Sequence, residues 1–228
     1  MDSITAILSK PFLMGCVVAL IAVSAGGFFI SDAETILGLV PVNTMIIHSY
    51  IWNIVTSQFF EANIFKLILE LFAFVYFTRH VVFPSTEQFG FYFVCCLVGS
   101  SGVTSFTFFV RYFVTRIEDL IVTPSFGFVG VLITLLLFAR QQLKGQNPIE
   151  SIPSITYHNL PILIISIQFI FLLLGATSLV SDLPFSCFSL LLGWSYLRFF
   201  YRYNVDSDVL GDPTEDFTFV AMFPSVSK

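Results

Sequence analysis

The sequence predicts an all-α integral membrane protein, a bundle of six transmembrane helices, from three observations. The chain is apolar along its whole length: 56% of residues are hydrophobic, only 11% are charged, and mean hydropathy is +0.89. Soluble domains carry about 25% charged residues. Six runs, at 12–30, 63–82, 89–109, 126–139, 160–180 and 185–200, are long and apolar enough to read as spans. The runs are uniformly apolar rather than alternating, which selects helices over barrel strands, the other structure that satisfies its backbone in lipid.

The first run follows Lys10 and contains Val23-Ser24-Ala25, a signal-peptide-like cleavage pattern. At 19 residues it is long for a signal core, and five more runs follow, so it reads as a retained helix. Residues 31–60 are neither span nor ordinary polar loop. Pro41, His48, Tyr50 and Trp52 punctuate Ile, Leu and Val, as in segments lying in the membrane interface. The fourth run reaches full length with Pro124–Ser125 before it and Arg140–Gln141 after it, and Ser125 reads as its N-cap. The 141–157 connection carries turn residues, among them Lys144, Gly145, Pro148 and Pro153. Residues 1–203 therefore form the membrane domain. Residues 204–228 form an acidic cytosolic tail, with Asp206, Asp208, Asp212, Glu215 and Asp216, flexible until Phe217.

Orientation follows from the basic residues. With the N-terminus cytosolic, that side carries Lys10, Arg79, Arg140, Lys144, Arg198, Arg202 and Lys228, against Arg111 and Arg116 opposite. Both termini are expected in the cytosol. The scattered basic residues exclude a nucleic-acid surface. Cys16, Cys95, Cys96 and Cys187 lie in apolar segments without metal or disulfide spacing, and no motif for a metal or other cofactor occurs.

Two sets of residues carry a family resemblance. The run from Tyr50 to Asn63, with Trp52, Thr56 and Phe59, resembles the rhomboid segment W-R-x-x-T-x-x-F-x-H that precedes the second helix. Farther on, Trp194-Ser195-Tyr196-Leu197-Arg198-Phe199-Phe200 and Asp216-Phe217-Thr218-Phe219-Val220-Ala221-Met222-Phe223-Pro224 resemble the transmembrane protein 115 family of Golgi rhomboid-like proteins, with similarity over residues 47–224. The resemblance implies a rhomboid-like six-helix bundle with an interfacial loop between helices 1 and 2. It also implies Golgi residence, with the endoplasmic reticulum as the alternative.

A rhomboid protease uses a serine in G-x-S-G on its fourth helix and a histidine on its sixth. Aligned here, Phe126 falls on the nucleophile and Ser186 near the histidine, while Lys66 and Glu70 fall on the H-x-x-x-N pair of the second helix. Of the three histidines, His80 and His158 fall on the cytosolic side and His48 in the interfacial loop. The expectation is a protein without protease activity. Lys66 and Glu70 read either as a site for a client transmembrane helix or an ion, or as a structural i,i+4 pair with Lys66 snorkelling. Gly127 and Gly130 with Ser189 and Gly193 form small-residue faces for packing helix four on helix six. Trp194, Tyr196, Arg198 and Arg202 read either as interfacial anchors or as a cytosolic docking surface.

By resemblance, the function implied is Golgi-to-ER retrograde transport, through membrane-protein clients, vesicle coat and Golgi tethering factors, in the lipid bilayer and in a possible homo-oligomer. A small-solute or ion transporter or channel is the alternative, and an active intramembrane serine protease a further one.

Overall fold

The computed structural model describes residues 10–83, 86–143, 145–148, 155–177, 181–202 and 210–223. Lys144, Pro153, Asp206, Asp208, Pro224 and Lys228 lie outside the described residues. The described residues are helical, with no strand beyond one antiparallel bridge between Leu39 and Ser125.

Six longer helices match the six apolar runs in order. They are α1 (Pro11–Gly27), α4 (Ile64–Thr78), α5 (Thr86–Thr115), α7 (Val129–Gln142), α8 (Leu160–Leu173) and α9 (Leu183–Phe199). Short helices α2 (Ala33–Leu37), α3 (Asn53–Thr56) and α6 (Asp119–Val122) lie between them, with a π-helical turn at Asn43–Ile47. Among the described residues one helix, α5 over Glu87–Thr115, is long and apolar enough to cross a membrane unaided. The other five have 14–17 residues, or about 21–26 Å at 1.5 Å per residue, less than the ~30 Å hydrocarbon core.

Local chemistry sets several of these limits. Asn63 caps α4, its Oδ1 accepting the Phe65 and Lys66 N–H groups at 2.9 and 3.2 Å. Helix α8 stops before the end of its apolar run because Gly175 takes φ +78°. The Gly175 N–H then bonds the Leu172 carbonyl and the Ala176 N–H that of Phe171, a Schellman ending. The start of α7 departs from expectation. Ser125 does not cap it; its backbone exchanges hydrogen bonds with Leu39 at 2.8 and 3.0 Å. The helix opens at Val129, after Gly127 at φ +134° donates its N–H to the Ser57 carbonyl.

The helix surfaces are inverted relative to those of soluble proteins. On α4, Phe65, Leu69 and Phe72 are 81%, 66% and 67% exposed, while Glu70 is buried. On α5, Phe91, Phe106 and Phe113 face outward, and Ser100, Ser101, Thr104 and Ser105 face inward. Apolar faces this extensive need lipid or protein cover. Inside, Gln58 Nε2 donates to the Leu97 carbonyl at 2.7 Å and to the hydroxyls of Ser100 and Ser101 at 2.9 and 2.8 Å. This amide staples the segment before α4 to α5.

Small residues bring α7 and α9 together, as their spacing predicts. A Cβ on Gly130 would lie 2.8 Å from Phe185 Cβ and 3.3 Å from Ser189 Oγ; one on Gly193 would lie 2.8 Å from Leu137 Cδ1. Helix ends alternate between two poles. At one pole Lys10 donates to the carbonyls of Arg79 and Val81, Gln142 to that of Val82, and Tyr157 to that of Phe77. At the other pole Ser24, Glu61, Gly127 and Asp182 gather around the starts of α4, α7 and α9.

Within the tail, the described residues before Phe217 do not hang free as expected: the Asp212 and Thr214 carbonyls accept from Arg198. Residues 210–223 run along the first pole, with Phe217 and Met222 fully buried. Those two side chains supply the apolar burial that holds a polar segment down.

Candidate functional site

At the second pole, one lysine is surrounded by three carboxylates. Lys66 projects from the first turn of α4, and its Nζ lies 2.8 Å from Glu61 Oε2, 3.4 Å from Asp182 Oδ1 and 3.7 Å from Glu70 Oε1. The four side chains are 9%, 1%, 0% and 5% exposed. Lys66 therefore turns inward rather than snorkelling. Its i,i+4 contact with Glu70 is the longest of the three.

Each carboxylate comes from a different local geometry. Glu61 precedes the Asn63 cap; its N–H donates to Ser24 Oγ on α1 at 3.0 Å, and its Oε1 accepts the Asn63 N–H at 3.1 Å. Glu70 lies one turn beyond Lys66, and neither of its oxygens accepts a hydrogen bond of normal geometry among the described residues. Asp182 precedes α9 and is the hub. Its Oδ1 accepts Gln168 Nε2 from α8 at 2.9 Å, its Oδ2 accepts the Val129 N–H of α7 at 3.2 Å, and its carbonyl accepts Ser186 Oγ at 3.2 Å. Gly127 is required beside it, since a Cβ there would meet the Asp182 side chain at 2.7 Å.

Four helices thus meet at one carboxylate. A buried ion pair of this kind costs desolvation and holds only while each charge keeps its partners. The ammonium is engaged by three anions and is not a free nucleophile. A cavity of about 670 Å³, lined by Glu34, Glu61, Asn63, Thr123, Phe126 and Ser181 among others, opens over Glu61.

The sequence alignment put Lys66, Glu70, Phe126 and Ser186 in one site, and they fall at one pole. Lys66 and Ser186 both contact Asp182, and Glu70 joins them through Lys66. Phe126 is buried beside Phe60, ring centroids 5.2 Å apart, and its carbonyl accepts Ser181 Oγ at 2.8 Å. His158 and His80 lie at the other pole. There His158 contacts the Ala221 carbonyl, and His80 is exposed. His48 stacks on Tyr50 in the interfacial segment.

Sequence reasoning missed Glu61 and Asp182. Glu61 stands at the histidine place of the W-R-x-x-T-x-x-F-x-H pattern, a departure that was a usable signal. Asp182 offered only its position before the last span.

The residues grouped as a docking surface divide in three. Trp194 Nε1 donates to the Phe217 carbonyl at 3.0 Å, and Arg198 donates to the carbonyls of Asp212 and Thr214, so both hold the tail. Tyr196 packs toward α5, its ring 5.5 Å from that of Tyr92. Arg202 is exposed.

Residues 14–228 match the family described as eukaryotic integral membrane protein (DUF1751). The chain belongs to this family of eukaryotic integral membrane proteins. It is also similar to "Rhomboid-like protein 19" of Arabidopsis thaliana, 30% identical over 208 residues, covering 88% of this chain and 64% of that protein. The chain thus spans 64% of that relative's length. No solved structure matches. Membership agrees with the inverted helix surfaces, and the similarity ties the chain to a rhomboid-like membrane family.

Proposed function

We propose that this protein is a non-catalytic, rhomboid-like protein of the secretory pathway that spans the membrane six times and binds other membrane proteins. One observation carries the reading: where a rhomboid protease would need a free serine–histidine pair, the residues converge on the buried Lys66–Glu61–Glu70–Asp182 cluster. A serine without a base in reach is a poor nucleophile. Ser186 gives its hydroxyl to the Asp182 carbonyl, and no histidine is placed at this pole except His48 of the interfacial segment.

The resemblance to the transmembrane protein 115 family extends this proposal to Golgi residence, cytosolic termini and Golgi-to-ER retrograde transport with coat and tethering factors. Two measurements test it. A serine-reactive fluorophosphonate should leave Ser125 and Ser186 unlabelled, and labelling at either would restore protease chemistry. Crosslinked capture from Golgi membranes should enrich coat, tether or membrane-client proteins over an unrelated polytopic control; no enrichment would sink the adaptor reading.

A second reading, movement of a small ion or solute, is favoured by the cavity over Glu61 and the excess of carboxylates beneath it. Flux in reconstituted liposomes that Glu61→Gln abolishes would establish it instead.

A further inference from the structure

The two C-terminal motifs singled out in the sequence are the two sides of one contact. Along residues 210–223 the bundle grips mostly the main chain, with one polar side chain held as well: Asp212 Oδ2 accepts Gln141 Nε2 at 3.0 Å. Arg198 donates to the Asp212 and Thr214 carbonyls, Arg140 Nη2 to the Asp216 carbonyl at 2.9 Å, Trp194 to that of Phe217, and His158 to that of Ala221. Two side chains anchor the segment: Phe217, with the Arg140 guanidinium 4.9 Å from its ring centroid, and Met222. Between and beside them Glu215, Asp216, Val220 and Phe223 remain exposed.

The fit is incomplete. Arg140 is 1% exposed, yet its Nη1 has no hydrogen-bond partner among the described residues, and neither has Gln141 Oε1. A cavity of about 300 Å³ reaches Arg140 between the tail and the 155–159 connection, lined also by Thr156, His158 and Phe217. A buried guanidinium with an unmet donor favours an occupant that brings an acceptor, above all a carboxylate.

We propose that this pole of the bundle is a peptide-binding groove, closed in this structure by the chain's own 210–223 segment acting as a releasable strap. The groove takes a segment of two short 3-10 turns, Glu215–Phe217 and Val220–Met222 in the strap, with two apolar anchors five residues apart and its carbonyls read by Arg140, Trp194 and Arg198. A partner segment of that pattern with an acidic group placed to reach Arg140 Nη1 completes the bonds that the strap leaves open, and so displaces it. Trp194 and Arg198 are then available to a partner only when the strap is off.

The test uses the full chain in detergent or nanodiscs and a fluorescent synthetic peptide of residues 210–223. Wild type, whose groove is filled, should bind the peptide at least ten-fold more weakly than a Phe217→Ala/Met222→Ala variant. Adding Arg198→Gln to that variant should weaken binding again. Equal binding by wild type and variant, or no binding by either, overturns the proposal. A second measurement stands if the variant misfolds. With a protease site placed between Arg202 and Leu210, the cut segment should stay bound and exchange with excess peptide. Immediate loss would show no groove affinity, and failure to exchange would show a fixed element rather than a strap. Peptide exchange is read independently of partner capture, so either result stands without the other.

Discussion

Asp182 Oδ2 accepts the Val129 N–H at 3.2 Å, so a carboxylate 53 residues further along the chain caps the helix that Ser125 was expected to cap. The same side chain holds Lys66 and Gln168. Three helices, α4, α7 and α8, therefore depend on one residue at the start of a fourth.

Asp182→Ala should destabilise the protein strongly, since breaking a buried pair costs about 3–5 kcal/mol. Asp182→Asn keeps an acceptor for Val129 and should lose less. Thermal unfolding in detergent checks both. An alanine variant as stable as wild type would refute the hub.

Lys66→Met removes the only cation that contacts Glu61, Glu70 and Asp182 among the described residues. Three buried carboxylates would remain uncompensated, and the expected result is poor expression and aggregation. Adding Glu61→Gln and Glu70→Gln should restore a monodisperse peak in gel filtration. If the single variant behaves like wild type, the ion cluster is not what holds this pole together.

Gly130→Leu must push against Phe185 and Ser189, and overpacking of this kind costs roughly 1–3 kcal/mol. A lowered Tm is expected, with a milder loss for Gly130→Ala. An unchanged Tm for the leucine variant would mean that α7 and α9 do not pack as described.

Gln58→Leu leaves the Leu97 carbonyl and the Ser100 and Ser101 hydroxyls without their shared donor. A loss of about 1–2 kcal/mol should follow, read as faster hydrogen exchange around α3 and the middle of α5. Exchange that rises equally everywhere would argue for general unfolding rather than a local staple.

Orientation has a direct readout. Glycosylation acceptors introduced near Arg116 should be modified in microsomes, and acceptors near the C-terminus should not. The reverse pattern would invert the topology expected from the basic residues.

The sequence by itself determined the helical membrane class and the order of the six long helices, because sustained apolar runs are a local property of the chain. It also marked the small-residue packing of α7 on α9, at Gly130 against Ser189 and Gly193 against Leu137, since small residues leave a signature in residue type, but it carried α8 past its true end at Gly175. Lys66 and Glu70 stood out as charges in an apolar run. Only the tertiary structure decided what they do there. Glu61 stands close to Lys66 in the sequence, but Asp182 reaches it from the far side of three long helices, and no local pattern encodes a partner at that separation. The stretch from Leu210 to Asp216 was misjudged for the same reason. Its acidity reads as a flexible tail, but Phe217 and Met222 find an apolar site and Arg140, Trp194 and Arg198 find its carbonyls. Whether a polar segment is held down depends on what the rest of the fold presents to it, and that surface exists only once the helices have packed.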